Sequence, residues 1–333
     1  MLEQRRAFTY ARQRLGRAAP DAATALRDVV AVYSSHPSAP LALAARSVAM
    51  TPDDFRAVAT AALRVPAMRG SIHLMPAAAA RRAFRALPEP AAARAARLRG
   101  FGISEERYAE LRALLLDAAA EPRSQKELVS ALGLPAHEVK GATAALTREG
   151  LLVRVGAAGL RSNALRYAAC TIGEADRDAA LSWLAGEYLR TLGPARREDL
   201  AWWLGVPRGR ADAALAEHAV VDVGDGLLLL DEDEDAFAEA PVPAGVDLLG
   251  KWDPLTMGHA PDGRTRCGLD ENCYDFRGDG LPVALVDGVA AGTWSMTAEG
   301  RRLAFSLEPF ETPGARLRKA IERRAEEVKA LLA

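Results

Sequence analysis

"RYAELRALLLDAAAEPRSQKELVSALGLPAHEVKGATAALTREGLLVRVG", residues 107–156, is the stretch on which the fold reading turns. Residues 107–121 place leucine and alanine at helical spacing. Ser124-Gln125-Lys126-Glu127 then matches a capping box: the serine hydroxyl accepts from the Glu127 amide and the glutamate reaches back. A short helix is predicted from there to Gly133. After Pro135, residues 136–150 form a second helical pattern that closes on Gly150, and two strand-like runs follow at 151–156 and 164–170. Helix, short helix, turn, helix and hairpin is the order of a winged helix-turn-helix.

The order recurs on both sides. Residues 175–193, 197–205 and 208–218 are helical patterns, followed by residues 220–233 with a Gly224-Asp225-Gly226 turn. Residues 1–76 read as helices around 3–16, 22–33, 38–48 and 53–65, then the strand-like SIHLM. The repeat is one of architecture, because the three units share little sequence identity. Past the acidic run at 231–235, which reads as a solvated loop that repels DNA, the texture changes. Strands are predicted within 247–255, 281–296 and 301–310, with Asp287-Gly288 as a tight hairpin turn, and a closing helix starts after Pro313. The expected fold is therefore mainly α with small β-hairpins and a C-terminal β-rich part (α+β), containing three tandem winged helix-turn-helix units. The expected divisions are 1–100, 101–173, 174–235 and 236–333.

A chain of 333 residues exceeds what one core usually absorbs, and 50% hydrophobic content makes it globular. Its net charge of −1 conceals a polarity. Residues 1–100 hold 16 Arg, no Lys and 6 Asp+Glu, a balance of +10, which leaves −11 for the remainder. Arginine-rich coding accounts for Arg in place of Lys but not for so few acids, so the N-terminal part is expected to meet an anion, of which nucleic acid is the commonest large one. The charged N-terminus MLEQRRAFTYARQRLG does not read as a signal peptide, and no long apolar run is present, so a cytoplasmic protein with no membrane partner is expected. Cys170, Cys267 and Cys273 form no CxxC pair; with His259 the spacing matches no standard zinc pattern, and the residues read as small loop side chains. No metal, nucleotide or redox cofactor is expected.

Four segments together resemble the bacterial winged-helix DNA glycosylases of the AlkZ/YcaQ type. They are residues 32–46, the Arg69-Gly70-Ser71-Ile72-His73-Leu74 segment, residues 249–258 with Trp252-Asp253-Pro254, and residues 287–294 with Gly292-Thr293-Trp294. The resemblance implies three winged helices curved around duplex DNA, with the chemistry in the first. It also implies base excision repair of alkylation damage, by hydrolysis of the N-glycosidic bond to an alkylated purine. A single-chain clamp makes a monomer the simpler expectation. In characterised members a Gln-x-Gln or Gln-x-Asp motif holds the attacking water and supports charge on the sugar. This sequence has Tyr33-Ser34-Ser35 at that position and neither required residue.

Glycosidic cleavage passes through an oxocarbenium-like state, so a site must orient water, accept its proton and tolerate positive charge on the sugar. His36 is the candidate base, Ser35 the candidate water holder, and Tyr33 the candidate to stack on an extruded base or donate to a phosphate. A structural reading of His36 stays open: it precedes Pro37 at a helix start, where it bonds a carbonyl while Ser35 or Ser38 caps the helix. No carboxylate adjoins the motif; Asp28 is the nearest. Arg46, Arg69, Lys140 and Arg148 are candidate DNA contacts, with Arg154 beside them, and buried or merely solvated roles are the alternatives. His73 joins them through its match to the family segment, although a core-facing strand histidine fits equally. Trp202, Trp203 and Trp252 read as core. By analogy, the Asp287-Gly288 hairpin is a wedge for DNA. A non-catalytic DNA- or lesion-binding protein and a winged-helix transcription regulator remain as alternatives to a glycosylase.

Overall fold

The computed structural model describes residues 2–34, 38–156, 159–162, 165–173, 175–299 and 302–333. In it the middle stretch folds as its spacing predicts. Helices run over Glu105–Ala118, Gln125–Leu132 and Ala136–Glu149. The Ser124 capping box forms in full, and Gly133 and Gly150 end their helices at φ +63° and +76°, a conformation glycine adopts without the Cβ penalty. Arg177–Leu192, Arg197–Leu204 and Arg208–Leu215 are the next three helices, again as the periodicity predicts.

The N-terminal helices are shorter than expected. Ala22–Asp28 stops because Val30 takes a left-handed φ of +66°, and the chain re-enters as strand β1 (Val32–Tyr33). Pro52–Ala61 gives way to β2 (Ala62–Pro66), where Pro66 cannot continue a helix and antiparallel pairing with β3 (Ile72–Pro76) is available. Long-range pairing thus overrides a helical pattern that local spacing alone would extend.

The remaining strands are β4 (Arg123–Ser124), β5 (Leu152–Val155), β6 (Arg166–Ala169), β7 (Val220–Asp222), β8 (Leu228–Leu230), β9 (Val246–Leu249), β10 (Val283–Val286), β11 (Val289–Glu299) and β12 (Arg302–Pro309). One six-stranded sheet has the order β1-β3-β2-β5-β6-β4, so the first two strand groups of the chain share it. Their junction is a single register pair, Arg64↔Arg154. A four-stranded sheet, β12-β11-β10-β9, forms the C-terminal part, and β7-β8 is a separate pair. The turn from β10 to β11 places Asp287 and Gly288 at φ +49° and +74°, the geometry of a tight two-residue hairpin.

The apolar cores tie distant stretches together. Trp294 of β11 shares one core with Leu41, Phe55 and Val328, so the C-terminal sheet and the closing helix Ala315–Leu332 sit against the N-terminal helices. Tyr188, Phe84 and Val153 belong to a second core. Burying each such side chain contributes about 1.5–3 kcal/mol, which makes these cross-chain cores rather than the local helices the main stabilising term. Among the described residues the result is a mixed helix and sheet, α+β fold, and no helix is long and apolar enough to cross a membrane.

The acidic run is not a loop. Residues 231–233 form a 3-10 turn leading into the helix Glu234–Ala238, and Asp233 is buried in an ion pair with Arg12. The arginine-rich N-terminal helix supplies a counter-ion that local charge patterning does not reveal.

Candidate functional site

Cross-strand register builds the centre of the site. Tyr33 of β1 lies opposite His73 of β3, so their rings meet on one face with centroids 4.5 Å apart. The β2–β3 hairpin turns through residues 67–71 and lifts Arg69 to its tip at φ +52°. Left-handed backbone is costly for a side chain of this size, and it persists here because the surroundings hold it. Arg69 Nη2 donates to the Tyr33 hydroxyl, and the guanidinium lies 3.8 Å from the Trp202 ring centroid. Gly205, at the end of the Trp202 helix, lets that helix come this close: a Cβ there would meet the Arg69 Cα at 3.1 Å.

The opposite wall comes from the C-terminal part. Trp252 also has a left-handed φ of +57°, its N–H donates to the Gly280 carbonyl at 3.0 Å, and its ring is 6.3 Å from that of Tyr33. Together these residues enclose a cavity of about 570 Å³ whose walls include Tyr33, Ser34, Arg69, Arg148, Arg154 and Trp252. A volume in this range suits a small organic group such as a nucleobase. Burial raises the Tyr33 hydroxyl above its ordinary value against the opposing charge of Arg69, so it stays protonated and able to donate. Burial likewise pushes His73 down to about 4, and the Arg69 charge acts in the same direction, so the imidazole is neutral.

Each residue singled out from the sequence has a definite place, with two exceptions. Ser35 and His36 lie outside the described residues. Tyr33, Arg69 and Arg148 meet in the cavity, where Arg148 Nη2 donates to the Gly70 carbonyl at 3.1 Å. His73 is only 2% exposed behind Tyr33, with Nδ1 bonded to the Ser71 carbonyl at 3.0 Å. It supports Tyr33 from the interior and is not a surface contact. Lys140 is exposed on the helix Ala136–Glu149, away from the cavity walls.

Arg46 is corrected outright. It is 0% exposed and bidentate to Asp253, with both N–O distances 2.8 Å, and also donates to Gln13 and the Ala42 carbonyl. A phosphate cannot reach it. The Asp287-Gly288 turn is no free wedge either: Asp287 accepts from the Gly245 amide at 2.7 Å, and Gly288 packs against Pro243 and Tyr10. Trp203 is core as expected, but Trp202 and Trp252 are half-buried beside the cavity. The Trp252-Asp253-Pro254 match was the one signal in the sequence that could have marked Trp252.

His259 and Cys267 form a buried polar contact, Nδ1 to Sγ at 3.5 Å, while His259 Nε2 bonds the Leu192 carbonyl at 3.1 Å. Burial pushes the Cys267 thiol up to about 12, so it is a neutral S–H donor within the core. Among the described residues no group of three His, Cys, Asp or Glu is placed to hold a metal.

Comparison with known proteins agrees with this architecture. A family model described as DNA glycosylase AlkZ-like matches residues 5–331. Among solved structures the chain is similar to the DNA glycosylase AlkZ of Streptomyces sahachiroi, with 21% identity and a TM-score of 0.72, over 99% of this chain and 96% of that one. No curated protein matches. Since the family match spans nearly the whole sequence, the chain belongs to the AlkZ-like DNA glycosylase family.

Proposed function

We propose that the protein is a monomeric duplex-DNA glycosylase that hydrolyses the N-glycosidic bond of alkylated purines at an atypical site. The carrying observation is the cavity in which Tyr33, at the position of the family's catalytic motif, meets Arg69 and Trp252. A purine alkylated at N7 carries its own positive charge and leaves readily, so no strong general acid is required. Tyr33 and Trp252 supply aromatic faces for the extruded base. Ser35 holds the attacking water and His36 takes its proton. Arg69, Arg148, Arg154 and Lys140 contact backbone phosphates and set the register of the duplex.

Three tandem winged-helix units frame this reading. The helices Glu105–Ala118, Gln125–Leu132 and Ala136–Glu149 with the β5–β6 hairpin support one of them. Arg177–Leu192, Arg197–Leu204 and Arg208–Leu215 with β7–β8 support another. A second functional reading, a lesion-binding protein without catalysis, is favoured by the absence of glutamine and carboxylate from Tyr33-Ser34-Ser35.

Single-turnover base release from duplex DNA carrying 7-methylguanine tests the proposal. Release above the spontaneous rate, slowed about 10²–10⁴-fold by His36→Ala, is the expected outcome. No release, from protein that demonstrably binds that duplex, selects the non-catalytic reading.

A further inference from the structure

The charges lining the cavity are unbalanced in a way that the motif at 33–35 does not address. Among the described residues lining it, three are arginines, Arg69, Arg148 and Arg154, and one is a carboxylate, Asp279. A reaction that generates positive charge on a sugar is opposed by every one of those arginines and favoured by Asp279 alone. Nothing local in the sequence connects Asp279 with Tyr33, which it follows by 246 residues.

The loop that carries Asp279 is pinned from within. The Asp275 carboxylate accepts from the amides of Arg277 and Asp279 at 2.9 and 3.0 Å, and the Asp275 amide donates to the Asp279 carbonyl at 3.0 Å. The next residue, Gly280, accepts from the Trp252 amide, which ties the loop to the aromatic wall. Every backbone contact of Asp279 is thus spoken for, whereas its side chain is free. Among the described residues its carboxylate accepts no hydrogen bond and makes no ion pair, although three guanidinium groups line the same cavity. Its charge nevertheless reaches the walls. Burial raises the Tyr33 hydroxyl and Asp279 adds to that shift; burial lowers Arg264 and Asp279 opposes it. A half-buried carboxylate without a partner, on a backbone held in place by these bonds, is negative charge already at the cavity wall before substrate arrives.

We propose that Asp279 is the charge-stabilising carboxylate of the glycosylase site, replacing from the C-terminal part the acid missing from the motif at 33–35. The assignment rests on the hydrolytic reading above. In the step it serves, the C1′–N9 bond of an N7-alkylpurine nucleotide breaks and its electron pair leaves with the base, cancelling the base's own positive charge. Water forms the new C1′–O bond and gives its proton up to the base of the hydrolytic reading and on to solvent. Asp279 neither gains nor loses a proton; it faces the transient positive charge on the deoxyribose. The arginines serve the phosphates on either side.

Asp279→Asn keeps the shape and removes the charge, and Asp279→Glu keeps the charge. Three duplexes are the probes: one with 7-methylguanine, one with a pyrrolidine abasic analogue protonated on its ring, and one with neutral tetrahydrofuran. We expect Asp279→Asn to slow 7-methylguanine release about 10²–10³-fold, as when a preorganised charge partner is lost. Wild type is expected to bind the pyrrolidine duplex about tenfold or more tightly than the tetrahydrofuran duplex, a preference that Asp279→Asn loses and Asp279→Glu retains. A purely structural role would weaken both duplexes alike. If wild type releases base and Asp279→Asn keeps both the rate and the preference, the assignment alone falls. If wild type binds the 7-methylguanine duplex but neither releases base nor prefers the cationic analogue, the hydrolytic reading falls and takes the assignment with it.

Discussion

Arg46 and Arg69 look interchangeable in the sequence, two arginines of the same basic segment, yet they occupy opposite kinds of place. Arg46 is sealed in the interior, and its guanidinium is matched by Asp253, Gln13 and a carbonyl. Arg69 is held at a hairpin tip by a ring face and one phenol hydroxyl, in a left-handed backbone, on the wall of a cavity. The first arrangement joins two distant parts of the chain; the second leaves charge available to something that enters. What distinguishes them is the supply of acceptors. A guanidinium whose two terminal nitrogens meet a carboxylate, an amide oxygen and a carbonyl becomes structure, and one given an aromatic face keeps donors for a ligand.

The contrast is broken most directly at Arg46. Arg46→Ala leaves Asp253 and Gln13 buried without their partner and is expected to cost about 3–5 kcal/mol in urea unfolding. A variant as stable as wild type would mean that the interior pair is dispensable.

Acid provides the next largest effect. His73 has a folded pKa of about 4 against about 6.5 when unfolded, so the unfolded chain binds the extra proton first. Stability from its neutral burial is complete above about pH 6.5 and is lost as pH falls toward 4, by about 3 kcal/mol in all. Buried His259, also lowered by burial, acts in the same sense. His73→Phe keeps a ring against Tyr33 and should flatten part of the stability–pH curve; an unchanged curve would show that His73 does not titrate on unfolding.

Arg69→Ala sharpens the other side of the comparison. It should slow base release and weaken every duplex alike, reducing the log–log salt slope of binding by about 0.9 for one lost phosphate contact. Its stability cost comes from the cation–π contact with Trp202 and the hydrogen bond to Tyr33, about 1–3 kcal/mol together. Sequence-selective loss of affinity would instead mean that Arg69 reads a base edge. Smallest of all is Lys140→Ala, exposed on its helix: stability should stay within about 0.5 kcal/mol, with only a shallower salt dependence of binding. A large stability change there would reveal a packing role for its stem.

Local chemistry made much of the fold legible. The Ser124 capping box, the glycines at 133 and 150 and the Asp287-Gly288 turn each act through neighbours a few residues away, so short-range patterns reveal them. The ends of the helices near residues 28 and 61 were illegible because they depend on strands that pair across the chain. The site divides in the same manner. Tyr33, Arg69 and His73 lie in two short segments of the N-terminal part, 32–46 and 69–74, whose resemblance to the family named them; cross-strand pairing then joins them. Trp252 and Asp279 reach the cavity, and Trp202 backs Arg69 beside it, only through packing of later parts, and the burial of Arg46 depends on an aspartate far along the chain.

That last distance sets an order of events during synthesis. The Arg46–Asp253 pair spans 207 positions. At translation rates of about 5–20 residues per second, Arg46 leaves the ribosome about 10–40 s before its carboxylate does. A nascent chain that sealed its first core in that interval would trap an uncompensated cation, a penalty that favours closing this core after residue 253 has emerged. The same event delivers Trp252, the adjacent residue, to its wall, and the cavity therefore takes shape only after that residue has emerged.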